Sequence, residues 1–215
     1  MRYGCYDTTK GKEVAQWLLD AGAIKLRPES PFQWASGWKS PIYCDNRISL
    51  SFPEIRSNIK TLLAEAIKST FPEVEAIAGV ATAGIPQGAL VADAMGLPFI
   101  YVRSKSKSHG LANQIEGQVV ENQKVVVLED LVSTGGSSLA AVQALRDAKL
   151  NVLGMACIFT YGFTQAESNF VSEKVDLVYL SEYKLLLEQA LNQGVINESI
   201  LETLNNWRAN PEAWG

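Results

Sequence analysis

The chain has 215 residues, with 19 Lys and Arg against 23 Asp and Glu and a formal charge of −4, which argues against a nucleic-acid binder with its basic footprint. There is no apolar run long enough to span a bilayer, and the N-terminal Met-Arg-Tyr-Gly-Cys-Tyr-Asp has no apolar stretch of a secretory signal. The three cysteines (Cys5, Cys44, Cys157) form no Cys-x-x-Cys pair, the pattern of reduced thiols in the cytoplasm and not of a disulfide framework or a zinc site.

In chain order, Thr9 to Ala21 reads as an amphipathic helix with Val14, Trp17, Leu18 and Ala21 on one face and Gly22 as its stop. Ile24 to Arg47 lacks helical periodicity and carries Pro28, Pro31, Gly37 and Pro41 between short apolar runs, so strands and loops are expected. A second helix starts near Pro53, with Ser51 and Glu54 at capping-box spacing. Strands are then expected near Ala76–Val80, Pro98–Val102, Lys124–Leu128, Val152–Phe159 and Val175–Leu180. They alternate with helices near Ile85–Met95, Gly136–Ala148, Gln165–Val171 and Tyr183–Asn192, and a last helix lies near Glu198–Trp207. The fold class is therefore α/β, with a largely parallel sheet covered by helices on both faces and ligands at the carboxyl ends of its strands. Residues 1–50 are expected to form a helix and a small N-terminal hood over the sheet's mouth, and residues 51–215 the core with C-terminal helices.

The chemistry concentrates in Val125 to Ser138, Val-Val-Val-Leu-Glu-Asp-Leu-Val-Ser-Thr-Gly-Gly-Ser-Ser. A buried strand ends in two carboxylates, and a small hydroxyl-rich turn opens the next helix. Backbone N–H groups at that helix start form a phosphate cradle, with hydroxyls of Ser133, Thr134, Ser137 and Ser138 as further donors. Carboxylates beside a phosphate site would repel it unless they address something neutral or cationic. Glu129 and Asp130 suit a ribose diol with a divalent metal nearby, so the segment points to a ribose 5-phosphate. The turn has neither the Lys of a Walker A loop nor the spacing of a dinucleotide fingerprint. A plain capped turn with two solvated acids is the alternative.

Arg103 to Gly117 holds Arg103, Lys105, Lys107 and His109 spaced by Ser, and no acidic residue stands between Asp93 and Glu116. Such a stretch inside an acidic chain fits a mobile loop that meets a polyanion, or else an exposed hairpin with ordinary surface lysines. Val80-Ala-Thr-Ala-Gly-Ile-Pro86 is a second strand-to-helix turn of small residues, suited to a diphosphate but also to tight packing.

Four stretches together, Phe32–Arg47, Gly79–Pro86, Tyr101–Gly110 and the Glu129–Ser138 signature, resemble the type I phosphoribosyltransferases, and more narrowly the orotate phosphoribosyltransferases. That resemblance implies transfer of the 5-phosphoribosyl group of phosphoribosyl diphosphate (PRPP) to orotate, giving orotidine 5′-monophosphate and diphosphate. It implies that Arg103, Lys107 and His109 contact PRPP from a loop that closes over the diphosphate, reaching the neighbour's site in a homodimer. Glu129 and Asp130 would hold the ribose, and Leu131, Val132, Ser133, Thr134, Gly135, Gly136 and Ser137 would also belong to the PRPP site. Catalysis would rest on Arg103, Lys107, His109 and Asp130, with Mg2+ carried mainly by PRPP and no protein ligand to the metal. Ser133, Tyr43 and Arg47 are the expected orotate contacts. The chain departs from some relatives at Ala35, where a PRPP-contacting Lys stands, at Tyr161, where an orotate-contacting Arg stands, and at Thr82–Ala83, where a Tyr-Lys pair stands. A transferase for another base and a PRPP sensor without turnover are the alternatives.

Overall fold

Apolar runs and helical stripes alternate along the chain as the pattern requires, and the computed structural model describes residues 2–34, 37–104 and 114–214. A short strand β1 (Tyr3–Cys5) precedes helix α1 (Thr8–Asp20), whose N-cap Asp7 accepts from the N–H groups of Thr9 and Lys10. Four short strands follow. β2 (Ile24–Leu26) pairs antiparallel with β5 (Ile42–Cys44), and β3 (Phe32–Gln33) with β4 (Lys39–Ser40). A 3-10 helix over Asn46–Ser51 leads into α2 (Pro53–Thr70).

The capping box expected at Ser51 and Glu54 does not form. Ser51 closes the 3-10 helix, so only Phe52 separates the two helices and becomes the N-cap without a side-chain bond. Pro53 begins the helix where its missing N–H costs nothing.

The core then runs β6 (Ala76–Val80), α3 (Gly84–Met95), β7 (Phe99–Val102), β8 (Ile115–Glu116), β9 (Lys124–Val132), α4 (Gly136–Asp147), β10 (Asn151–Thr160), α5 (Thr164–Ser172), β11 (Leu177–Glu182), α6 (Tyr183–Asn192) and α7 (Glu198–Ala209). The main sheet has the order β1-β11-β10-β9-β6-β7-β8. Its pairings are parallel except β7 with β8. Val125, Val126, Val127 and Leu128 in the centre are fully buried, because α4 and α5 cover one face and α1, α2, α3 and α6 the other.

Two differences from expectation bear on the site. β9 continues to Val132, paired as far as Thr160 of β10, so Glu129 and Asp130 lie within the strand and not beyond its end. β1 was not expected; three residues carry no readable period, and its partner β11 stands more than 170 residues away, with Tyr3 opposite Leu177. Strand order reverses between β6 and β9, which opens a crevice at their carboxyl ends. The small paired strands of residues 24–44 lie on the face that α1 and α2 cover.

Candidate active site

Two helix starts frame the crevice. After β9 the chain turns through Ser133 and Thr134 to Gly135, whose φ of 85° is open to glycine, and α4 begins at Gly136 with no side-chain cap. A Cβ at Gly135 would stand 2.8 Å from the Phe170 ring, so the turn can be held by no other residue without displacement. Asn169 of α5 donates to the Thr134 carbonyl at 2.9 Å and fixes the turn from outside. The first N–H groups of α4 are thus left for an anion. On the other side, after β6, the Ala81–Thr82 peptide is cis and α3 starts at Gly84, also without a side-chain cap. There a Cβ would lie 2.5 Å from the Leu128 carbonyl, so glycine is what lets α3 abut β9.

The acidic pair divides its tasks. Glu129 is buried, and its carboxylate accepts from the Ser138 hydroxyl at 3.3 Å and from the Asp130 N–H at 3.1 Å. Ser138 therefore faces inward to Glu129 and not toward a bound phosphate. Burial, then the charge of Asp130, pushes the Glu129 carboxyl well above the ordinary range. Burial raises Asp130 as well, so the pair retains a proton longer than isolated carboxylates would. Asp130 is only partly buried, and its backbone carbonyl accepts from Asn46 Nδ2 at 2.7 Å. Asn46 in turn accepts from the Cys44 thiol at 3.3 Å, so one amide joins the hood to the acidic strand.

Beside the turn lies a cavity of about 230 Å3 lined by Gln33, Trp34, Tyr43, Cys44, Leu131, Ser133 and Tyr161. It is small and mostly apolar, the size class of one ring with a few polar handles. Trp34 packs on Tyr161 with ring centroids 5.0 Å apart, and Tyr43 on Phe32 at 5.4 Å. Burial pushes both the Cys44 thiol and the Tyr161 phenol well up, with smaller contributions from Asp130 in each case. A larger hollow of about 530 Å3 lies between α2 and the C-terminal end of α3, away from the crevice, so size does not choose the site.

The structure brings Tyr43 and Ser133 to the cavity, together with Leu131, which was expected among the PRPP contacts. Val132 is buried, and its carbonyl accepts from the Thr160 hydroxyl at 3.0 Å. Gly136 and Ser137 are exposed at the start of α4. Arg47 is exposed outside the cavity lining and forms two bonds to Asp45, at 2.6 and 2.8 Å, which hold the Asp45 carboxyl below its usual range. Arg103 pairs with Glu116 at 3.4 Å across β7 and β8. Lys105, Lys107, His109 and the departure at Ala35 lie outside the described residues. Sequence reasoning did not single out Gln33, Trp34, Cys44 and Asn46. They sit in the quoted stretch from Phe32 to Arg47, but no spacing marks them as a group. Among the described residues no cluster of three or more His, Cys, Asp and Glu is arranged to hold a metal ion, and no helix is long and apolar enough to cross a membrane.

A family model described as "Phosphoribosyl transferase domain" matches residues 50–184. The chain is 56% identical over 207 residues, 96% of its length and 99% of the relative's, to a protein of Porphyromonas gingivalis named orotate phosphoribosyltransferase. Among solved structures, an orotate phosphoribosyltransferase from Aeropyrum pernix is similar with a TM-score of 0.75 and 30% identity, covering 86% of this chain and 99% of that one. A UMP synthase of Leishmania donovani is similar with a TM-score of 0.81 and 25% identity over 93% of this chain, which spans 42% of that longer protein.

Proposed function

The chain belongs to the phosphoribosyltransferases, and within them to the orotate phosphoribosyltransferases of pyrimidine biosynthesis; from that premise we propose how its own residues perform the transfer. The observation that carries the reading is the double position of Ser133. It lines the ring-sized cavity and also opens the turn to α4. A base in the cavity and a ribose 5-phosphate on the turn would meet at that residue.

In this reading the 5-phosphate sits on the N–H groups of Thr134 to Ser137, where the dipole of α4 favours an anion. Asp130 accepts from the ribose hydroxyls, while Glu129 holds the strand and the first turn of α4 together through Ser138. The bond from the anomeric carbon to diphosphate breaks as a ring nitrogen of orotate forms its bond to the same carbon, and the proton of that nitrogen passes to the departing diphosphate. Positive charge grows on the ribose, and Asp130 stabilises it, so no protein nucleophile is needed. The turn after β6, with the start of α3, faces the departing diphosphate. Arg103, Lys107 and His109 complete that anion site from the basic loop, closing it against water.

Mg2+ would enter on PRPP oxygens. Asp130 would offer a hard oxygen donor to the ion. When bound, the ion neutralises the leaving diphosphate. Tyr43 and Ser133 contact the base, with Arg47 available to its carboxylate. A homodimer in the cytoplasm, each loop reaching the partner's site, completes the proposal.

The test is loss of orotate's near-ultraviolet absorbance on mixing the protein with PRPP, Mg2+ and orotate, with adenine and hypoxanthine run in parallel. Mg2+-dependent loss with orotate alone is the expected result. PRPP binding by calorimetry without loss of any base would replace the transferase with a sensor.

A further inference from the structure

Resting on the orotate transfer just described, we infer that Trp207 and Arg208, consecutive residues of α7, are positioning residues that hold in place the two aromatic walls of the base cavity, Trp34 and Tyr161. One wall belongs to the hood, with Trp34; the other belongs to the core, with Tyr161 at the end of β10. The two rings meet directly, with centroids 5.0 Å apart, but no backbone ladder joins their segments, so what backs the rings decides where they stand.

α7 supplies the fixture. The Arg208 guanidinium donates to two successive carbonyls of the core wall, from Nε to Tyr161 at 2.9 Å and from Nη2 to Gly162 at 2.6 Å. The indole N–H of Trp207 donates to the Lys39 carbonyl of β4 in the hood at 3.1 Å, across 168 residues of chain. Its ring is fully buried and packs edge-on against both walls' aromatics, 5.5 Å from Trp34 and 5.9 Å from Tyr161. The helix is fastened in turn to the core, because the Tyr183 hydroxyl donates to the Leu204 carbonyl at 3.0 Å.

The chemistry of the two side chains suits the task. A planar guanidinium can satisfy two carbonyls at once, where an ammonium on a flexible stem would be a single point donor. Bonds from a charged donor are short and stiff. Burying the indole N–H commits it to the Lys39 carbonyl, since an unpaired buried donor is costly. A planar base lying against these two rings loses contact when either shifts slightly, because dispersion falls off within an ångström. Residues outside the cavity thereby control affinity for the base while leaving the phosphate turn untouched.

The experiment compares wild type, Arg208→Met, Arg208→Lys and Trp207→Phe for kcat, both Michaelis constants and thermal stability. Arg208→Met should raise the orotate KM about tenfold and leave the PRPP KM within about twofold. Arg208→Lys should recover part of that loss, and Trp207→Phe, which keeps the ring and deletes the donor, should raise the orotate KM by about threefold. A purely structural role would lower the melting temperature and move both constants together, or neither, and that result overturns the inference. Should Arg208→Met fail to fold, Trp207→Phe decides alone, and an unchanged orotate KM there overturns it. If the wild type consumes no orotate, the transfer reading fails by itself. The walls are then judged by quenching of tryptophan fluorescence with orotate, where weaker binding to the folded variants supports the fixture and equal binding overturns it.

Discussion

The two halves of the site are built in opposite ways. The ribose-phosphate half is one stretch, Glu129 to Ser138, in which strand, turn and helix follow without interruption. The base half is gathered from Gln33 and Trp34, Tyr43 and Cys44, Leu131 and Ser133, and Tyr161, with α7 behind them. A continuous stretch inherits its geometry from backbone bonding, so each residue stands at a distance set by the helix and the strand. A gathered cavity inherits its geometry from packing between distant segments. Substitutions in the first should therefore alter chemistry or phosphate binding, and those in the second should alter affinity for the base.

The largest effect tests the first half. Asp130→Asn keeps the shape and the backbone bond from Asn46 but removes the charge opposed to the developing cation. It should lower kcat by about 100-fold, with the orotate KM changed less than about threefold. A rise in orotate KM with kcat preserved would break the division between the halves. Gly135→Ala comes next. It forces a side chain into a left-handed backbone and against Phe170 at 2.8 Å, which should cost about 1–3 kcal/mol and raise the PRPP KM more than the orotate KM. Thermal melts and steady-state kinetics on the same preparation read both.

Glu129→Gln separates the neighbours within the continuous half. The fold raises the Glu129 carboxyl above its unfolded value, so at intermediate pH the folded chain keeps a proton that the unfolded chain has lost. The stability associated with this group is complete below the unfolded value, about pH 4, and drains away as pH rises through the folded one. Gln does not ionise. The melting temperature of Glu129→Gln should therefore gain on wild type as pH rises above about 4, while kcat falls far less than in Asp130→Asn. A difference between the two melts that is flat with pH would mean that no buried charge develops at Glu129.

The same contrast explains what could be read from residue order. The parallel sheet and its strands at residues 76–80, 124–128 and 152–159 follow from apolar runs with turn residues between them, and their carboxyl ends locate the crevice. The phosphate turn was legible because ten adjacent residues contain it. β1 was not, since three residues in an edge strand owe their state to β11 and not to any local period. The Ser51 cap failed because a 3-10 helix occupied that residue, a choice made by the Asp45 cap six residues earlier. Trp207 is read from sequence only as the end of the last helix. Its contact with a hood carbonyl 168 residues away has no signature in its neighbours.

The smallest predicted effect concerns Arg47, where the gathered half must answer the orotate carboxylate. Tyr161 supplies no positive charge, and Arg47 is held by Asp45 in a two-bond pair on the surface. It is nevertheless close enough to Asp130 for that carboxylate's charge to act on it. An exposed ion pair of this kind contributes only about 0–1 kcal/mol, so a substrate carboxylate can draw the guanidinium away at little cost. Opposite signs follow for the two partners. Arg47→Ala should raise the orotate KM by about two- to fivefold, whereas Asp45→Asn, which frees the guanidinium, should lower it slightly. Equal, small increases from both would assign the pair to the hood's own structure. The carboxylate would then be met by the cavity's hydroxyl and amide groups at Ser133 and Gln33, and affinity for the base would depend on how the aromatic walls are held more than on charge.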